Sequence, residues 1–262
     1  MSRYWGMNII INGSFVRTQF EDPLPTMGPP NVLEDYRANP QADRYEFVTQ
    51  EVIRKIAGTQ VGGPWIGSIN SRAHQIVSIL PLNERAIGET STVAKDTAAS
   101  ARPGVGTGVF IWYDPFTWAG SAMKMSIDPQ NHFKQDDVLF HEFVHALLMM
   151  HGLDFSTPIA GWHRVSELYA IMLTNIYNSS NNRNSDLRAD HDLSFHVLPK
   201  SFLRPTEQQD DEFFYNNNQT DIDRLCGSSL QTLCNTLADV QCKWNPLGVR
   251  KRKAKHPSAR AY

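Results

Sequence analysis

The sequence predicts an α+β fold in which a small β-sheet packs on one long buried helix and on a second helix that follows it. Three observations lead there. The run Val138 to Gly152, VLFHEFVHALLMMHG, is apolar at helical spacing and carries two histidines four residues apart. Residues 74–80 (HQIVSIL) and 108–113 (GVFIWY) are short, β-branched and aromatic, as strands are. A further apolar period runs from Trp162 to Tyr177.

Taken in order, residues 1–40 hold Pro23, Pro25, Pro29, Pro30 and Pro40 with little periodicity, and are expected to form an irregular N-terminal arm or leader. The run Ile9 to Ile11 is too short for a signal-peptide core, so export through a cleaved signal is not expected. Residues 41–205 are expected to form the main domain. Its first helix spans Asp43 to Ala57, with Phe47, Val48, Val52, Ile53 and Ile56 on one face and Gly58 as a stop. The Thr, Ala, Ser and Gly-rich stretch 84–107 reads as a surface loop or flexible hairpin beside a cleft. Asp136 or Asp137 caps the central helix, and Gly152 suits a left-handed C-terminal cap. The helix after it buries Val165, Leu168, Ile171, Met172 and Ile176 and ends at SSNNRNS. Residues 206–262 form a helical C-terminal extension, with one amphipathic helix through Leu225, Leu230, Leu233, Leu237 and Val240 before a basic tail.

Composition narrows the function classes. A chain of 262 residues, 41% hydrophobic and 20% charged, fits one mid-sized domain with terminal segments, and no apolar run reaches the length of a membrane span. Cys226, Cys234 and Cys242 are three in number and evenly spaced by eight, which gives neither a closed disulfide set nor a zinc-ligand spacing. They read as buried small hydrophobes in a reducing compartment. Net charge is −2, yet Arg250, Lys251, Arg252, Lys253, Lys255 and Arg260 cluster at one end, leaving the body acidic. Such a tail reads first as solvated chain and second as a contact for nucleic acid, lipid or a nuclear import receptor.

The motif His141-Glu142-Phe143-Val144-His145 carries the chemistry. One helical turn places both imidazoles on one face, about 6 Å apart along the axis, so both reach one ion. Glu142 is rotated away, but its side chain is long enough to bend toward a water there and take its proton. The pattern predicts a zinc peptidase with a zincin-like arrangement, holding one Zn²⁺ ion on His141 and His145 with Glu142 as general base.

Zinc in such sites needs a third protein ligand, and two residues compete. His151 stands six residues after His145, as the third ligand does in metzincins. Leu148 occupies the place of the glycine that lets that chain swing back, and on a continuing helix His151 lies about 9 Å further along and roughly 120° around. Glu167, on the next helix in SELYA, has a Glu-x-x-Ala setting like the ligand helix of gluzincins and is preferred. His151 then ends the helix, where a cation suits the dipole.

Over residues 105–195 the chain resembles the NleD-type zinc metallopeptidase effectors that bacteria inject into host cells. The resemblance rests on VFIWYDP, VLFHEFVHALLMMHG, SELYA and NSDLRADH. The family reads Glu-Asn-x-Leu-Arg where this chain has Asn184-Ser185-Asp186-Leu187-Arg188. What the resemblance implies is an endopeptidase secreted as an effector or toxin. It would cut a protein substrate in the cytoplasm of a target cell, or in its nucleus if the basic tail directs it there.

Around this centre, Arg188 and His191 are candidates to stabilise a developing oxyanion. His163, four residues before Glu167, is a candidate fourth or supporting ligand, though an exposed histidine is the plainer reading. Tyr113 and Asp114 close a strand that, as an edge, would line a substrate groove. The rival outside catalysis is a zinc-binding or nucleic-acid-binding module in which the motif is structural.

Overall fold

A computed structural model describes residues 3–6, 8–17, 36–38, 40–72, 74–81, 90–116, 134–159, 162, 164–184, 187–188 and 210–255. In chain order the elements are β1 (Arg3–Trp5), β2 (Ile9–Ile11), β3 (Phe15–Arg17), β4 (Tyr36–Ala38), α1 (Ala42–Ala57), α2 (Gly62–Asn70), β5 (Val77–Pro81), β6 (Ser91–Ala94), α3 (Thr97–Ser100) and β7 (Val109–Tyr113). Then follow α4 (Gln135–Met150), α5 (Val165–Ser180), α6 (Asp211–Asn217), α7 (Gln219–Cys226), α8 (Gln231–Ala238) and α9 (Pro246–Lys255). The fold is α+β. Among the described residues no helix is long and apolar enough to cross a membrane.

The main sheet runs β1-β2-β5-β7-β6, with β2, β5 and β7 parallel and the two outer strands antiparallel to their neighbours; β3 and β4 form a separate pair. Alternation sends Ile9, Ile11, Val77, Ile79, Val109 and Ile111 into the core, each with no exposed surface. At about 1.5–3 kcal/mol per fully buried side chain, this one face supplies on the order of 10 kcal/mol or more of gross burial energy.

The expected irregular arm is corrected over residues 3–17. Ile9 to Ile11 is too short for a signal core but long enough for a strand, and β2 pairs with β5 inside the sheet. Of the two forms expected at 84–107, a surface loop or a flexible hairpin, the described residues take the second. Ser91–Ala94 pairs with β7, and Asp96 then caps α3 by accepting the Ala99 N–H at 3.0 Å. Helix α2 went unpredicted because GGPWIGSIN is poor in helix formers, although its proline falls in the first turn, where a missing N–H costs nothing. What holds α2 is the burial of Trp65, Ile66 and Ile69.

Helix α4 is buried from Asp136 to Met150, as a helix apolar on every side must be. It lies against β6, β7, α1, α2 and α5. It begins two or three residues earlier than a cap at Asp136 or Asp137 predicts, and Asp137 instead accepts the Lys134 N–H from within the first turn, at 3.4 Å. At the other end Gly152 adopts φ +70°. Its N–H reaches Met149 O at 3.2 Å and the Leu153 N–H reaches Leu148 O at 2.8 Å, a Schellman closure. Bonds also come from outside the helix, to Met149 O from Thr107 N–H at 3.1 Å and to Met150 O from Arg72 at 2.8 Å.

Past residue 210 the single expected helix is four, because Gly227–Leu230 turns the chain between α7 and α8. Trp244, Leu247 and Val249 join the same core as α5, and the Trp244 N–H donates to Ser179 Oγ at 2.9 Å. The basic tail also needs correction. Residues 246–255 form α9, and its cations face acids of this chain: Arg250 meets Asp223 at 2.8 Å, Lys251 meets Asp239 at 2.6 Å and Lys253 meets Glu212 at 2.8 Å. Cys226 and Cys234 are buried and Cys242 half-buried, none in a disulfide.

Candidate metal centre

The site is built where α4 crosses α5. His141 and His145, one turn apart, turn the same way, and α5 brings Glu167 from its first turn to face them. The two Nε2 atoms stand 3.2 Å apart, His145 Nε2 lies 3.3 Å from Glu167 Oε1, and His141 Nε2 lies 3.5 Å from Glu167 Oε2. All three residues are buried.

These spacings can be tested against an ion. Three donors at corners of a tetrahedron, with bonds of about 2.0–2.1 Å, stand roughly 3.3–3.4 Å apart. The two Nε2 atoms are close to that spacing, and each faces its own carboxylate oxygen at a similar distance, so that one ligand atom from each residue lies within 4.8 Å of the others. Glu167 Oε2 is buried and makes no hydrogen bond of normal length among the described residues, which leaves an acceptor for a cation to satisfy. Two imidazoles and a carboxylate suit a first-row transition ion better than magnesium or calcium. The triad can therefore hold a metal ion.

Electrostatics act differently on the three residues. Burial pushes the His141 pKa down to about 3, against the pull of Glu167, so this ring is neutral and ready to donate a lone pair. Burial acts on His145 in the same direction, but the charge and hydrogen bond of Glu167 outweigh it and raise its pKa. Glu167 itself is held well below the ordinary carboxylate range: burial opposes ionisation, and the two histidines overcome it. Arg164, three residues earlier, adds a contact at 3.2 Å to Glu167 Oε1.

Glu142 lies beside the triad, buried, with Oε2 accepting a hydrogen bond from Thr92 Oγ1 on β6 at 2.7 Å. Trp65 of α2 donates its indole N–H to Phe143 O at 2.9 Å, pinning the motif's backbone from behind. Beneath His141, the first turn of α4 carries two buried acids. Asp136 meets Lys55 at 2.7 Å, Arg183 at 2.8 Å and the Tyr177 hydroxyl at 2.7 Å. Burial works against its ionisation, and these partners, Arg183 foremost, still hold its pKa below the usual value. Asp137 meets Arg188 at 2.7 Å, but there burial wins and its pKa is raised.

Several expected residues fall elsewhere. His151 is not in the metal cluster: it caps α4, and its Nδ1 lies 2.7 Å from Ser229 Oγ. Nor does it serve as a helix-end cation, since burial lowers its pKa to about 4. Tyr113 is no groove residue, because β7 is an inner strand; the side chain is fully buried and its hydroxyl donates to Gln135 O at 3.0 Å. Asp114 accepts the Phe116 N–H at 2.8 Å and shapes the turn. Arg188 is an anchor: the Asn175 side chain accepts its N–H at 2.7 Å and donates to its carbonyl at 2.9 Å, while the guanidinium holds Asp137. Its charge still helps to keep His141 neutral. His163 and His191 lie outside the described residues.

Thr92, Trp65 and Arg164 were not among the residues singled out by sequence. Only Arg164 left a trace, its spacing of three before Glu167 on a helix start. No protein-family model matches the chain, and no curated protein matches it.

Proposed function

We propose that the chain is a zinc-dependent endopeptidase with a zincin-type centre. The observation that carries this reading is the convergence of His141 Nε2, His145 Nε2 and the Glu167 carboxylate at 3.2–3.5 Å, with the Glu142 carboxylate buried beside them. His141, His145 and Glu167 would hold the ion. Zinc supplies Lewis acidity there, polarising a carbonyl and making a water easier to deprotonate. Glu142 accepts the proton of the attacking water on its carboxylate and returns it to the leaving amine.

The surrounding sheet supports a peptide as substrate. Strand β6 is the last strand of the main sheet among the described residues, and it carries Thr92 next to Glu142. The Lys95 N–H bonds Gly108 O at 2.9 Å, so antiparallel alternation turns the main-chain groups of Thr92 and Ala94 away from β7. An extended chain can add there as a further strand, with its scissile carbonyl near Glu142. The resemblance to NleD-type effectors supports a secreted bacterial effector or toxin that cuts a protein inside a target cell. The internal pairing of α9 weighs against nucleic acid as the partner.

The test compares wild-type protein with Glu142→Ala in a target-cell lysate, reading new protein termini by mass spectrometry and bound zinc by elemental analysis. New termini should appear with wild type alone, while both proteins carry zinc. Equal cleavage by Glu142→Ala refutes the mechanism.

A further inference from the structure

Glu142 is one residue past His141, so helix geometry rotates it roughly 100° away from the face that carries the ligands. A long side chain starting from that direction reaches the reacting water in only some of its rotamers, and the helix does nothing to choose among them. One contact that bears on the choice comes from the sheet. Thr92 Oγ1 lies 2.7 Å from Glu142 Oε2 and 3.1 Å from Glu142 O. The hydroxyl has one proton, and the closer, carboxylate oxygen is the better-placed acceptor. The second short distance shows the hydroxyl oxygen seated against the residue's own peptide, so backbone and carboxylate of Glu142 are gauged from one point.

That point is rigid. Thr92 is β-branched, with little χ1 freedom, and sits in β6 opposite Ile111 of β7, whose side chain is wholly buried. On the reading of the chain as a zinc peptidase, we propose that Thr92 is a positioning residue for that reaction: its hydroxyl holds the Glu142 carboxylate toward the reacting water. The partner is thus on the strand where the substrate would lie, and seating of the peptide and aim of the base share one element.

Thr92→Val removes the hydroxyl while keeping shape and strand preference, and Thr92→Ser keeps the hydroxyl and removes only the methyl group. Two readouts apply, the crystal structures of both variants and the steady-state constants of the zinc-loaded enzymes on a cleaved peptide. In Thr92→Val the Glu142 carboxylate should leave its place and kcat should fall about tenfold or more, with KM and zinc content as in wild type. Thr92→Ser should keep the carboxylate in place and kcat within about twofold, on the same reasoning. A Thr92→Val enzyme with an unmoved carboxylate and a wild-type kcat overturns the proposal. If wild type and Glu142→Ala both fail to cleave, the peptidase reading falls separately. The crystal structures then decide alone: a carboxylate displaced by Val and kept by Ser upholds the positioning, and one unmoved by Val removes it.

Discussion

Replacing Asp137 with Asn takes the carboxylate charge away from the buried Arg188 guanidinium. The Asp137 side chain has no exposed surface and that of Arg188 is 5% exposed, so water cannot take over the lost partner. Breaking a buried pair by removing one charge costs about 3–5 kcal/mol. The Asn oxygen still accepts one Arg188 hydrogen bond, which puts Asp137→Asn near the low end, about 3 kcal/mol. For a chain of this size each kcal/mol moves Tm by about 2–4 °C, so a drop of about 6–12 °C is expected. The pair itself is not a source of net stability, because taking two charges out of water costs about as much as their attraction returns. Removing both charges with Asp137→Asn/Arg188→Met should therefore recover most of the loss. The assay is calorimetric melting of chelator-treated protein, so that metal binding adds nothing to the native state. A single variant melting within about 1 °C of wild type, or a double variant showing the sum of both single losses, refutes the reasoning.

Two other perturbations address the end of α4. His151 is buried with its pKa lowered from 6.5 to about 4 and takes up a proton more readily when unfolded, so stability is full above pH 6.5 and declines toward pH 4. The loss approaches about 3 kcal/mol at most, and His151→Gln should flatten that part of a denaturant-midpoint-against-pH curve while wild type slopes through it. Gly152→Ala places a Cβ on a residue at φ +70° and against the Arg102 carbonyl. Its cost should be about 2 kcal/mol or more in urea unfolding, and a loss below about 0.5 kcal/mol would show that the turn relaxes freely.

The metal site was legible because its three donors lie on two helices whose periods announce them. A spacing of four fixes His141 beside His145 on any helix, and the apolar stripe of the Glu167 helix packs on that first helix. With Leu148 in place of a glycine, α4 continues to Met150 and His151 stays on it as its cap. What stayed hidden is long-range or locally ambiguous. Thr92 sits in a strand of four residues with a polar composition, and nothing near it in sequence names Glu142, fifty residues on. Ile9 to Ile11 is equally short, and its role depends on pairing with β5. The tail was read by its charge alone, whereas α9 is held by apolar burial of Leu247 and Val249 and its cations find acids on α6, on α7 and at the C-cap of α8.

The identity of the third ligand separates the possible centres most sharply, and metal stoichiometry measures it directly. Wild-type protein, Glu167→Gln and His151→Gln would each be loaded with zinc, dialysed and assayed by elemental analysis. Wild type and His151→Gln should each retain one zinc per chain, while Glu167→Gln should bind at least about tenfold more weakly and lose most of it. Full retention by Glu167→Gln, with loss from His151→Gln, would contradict the centre described at the crossing of α4 and α5.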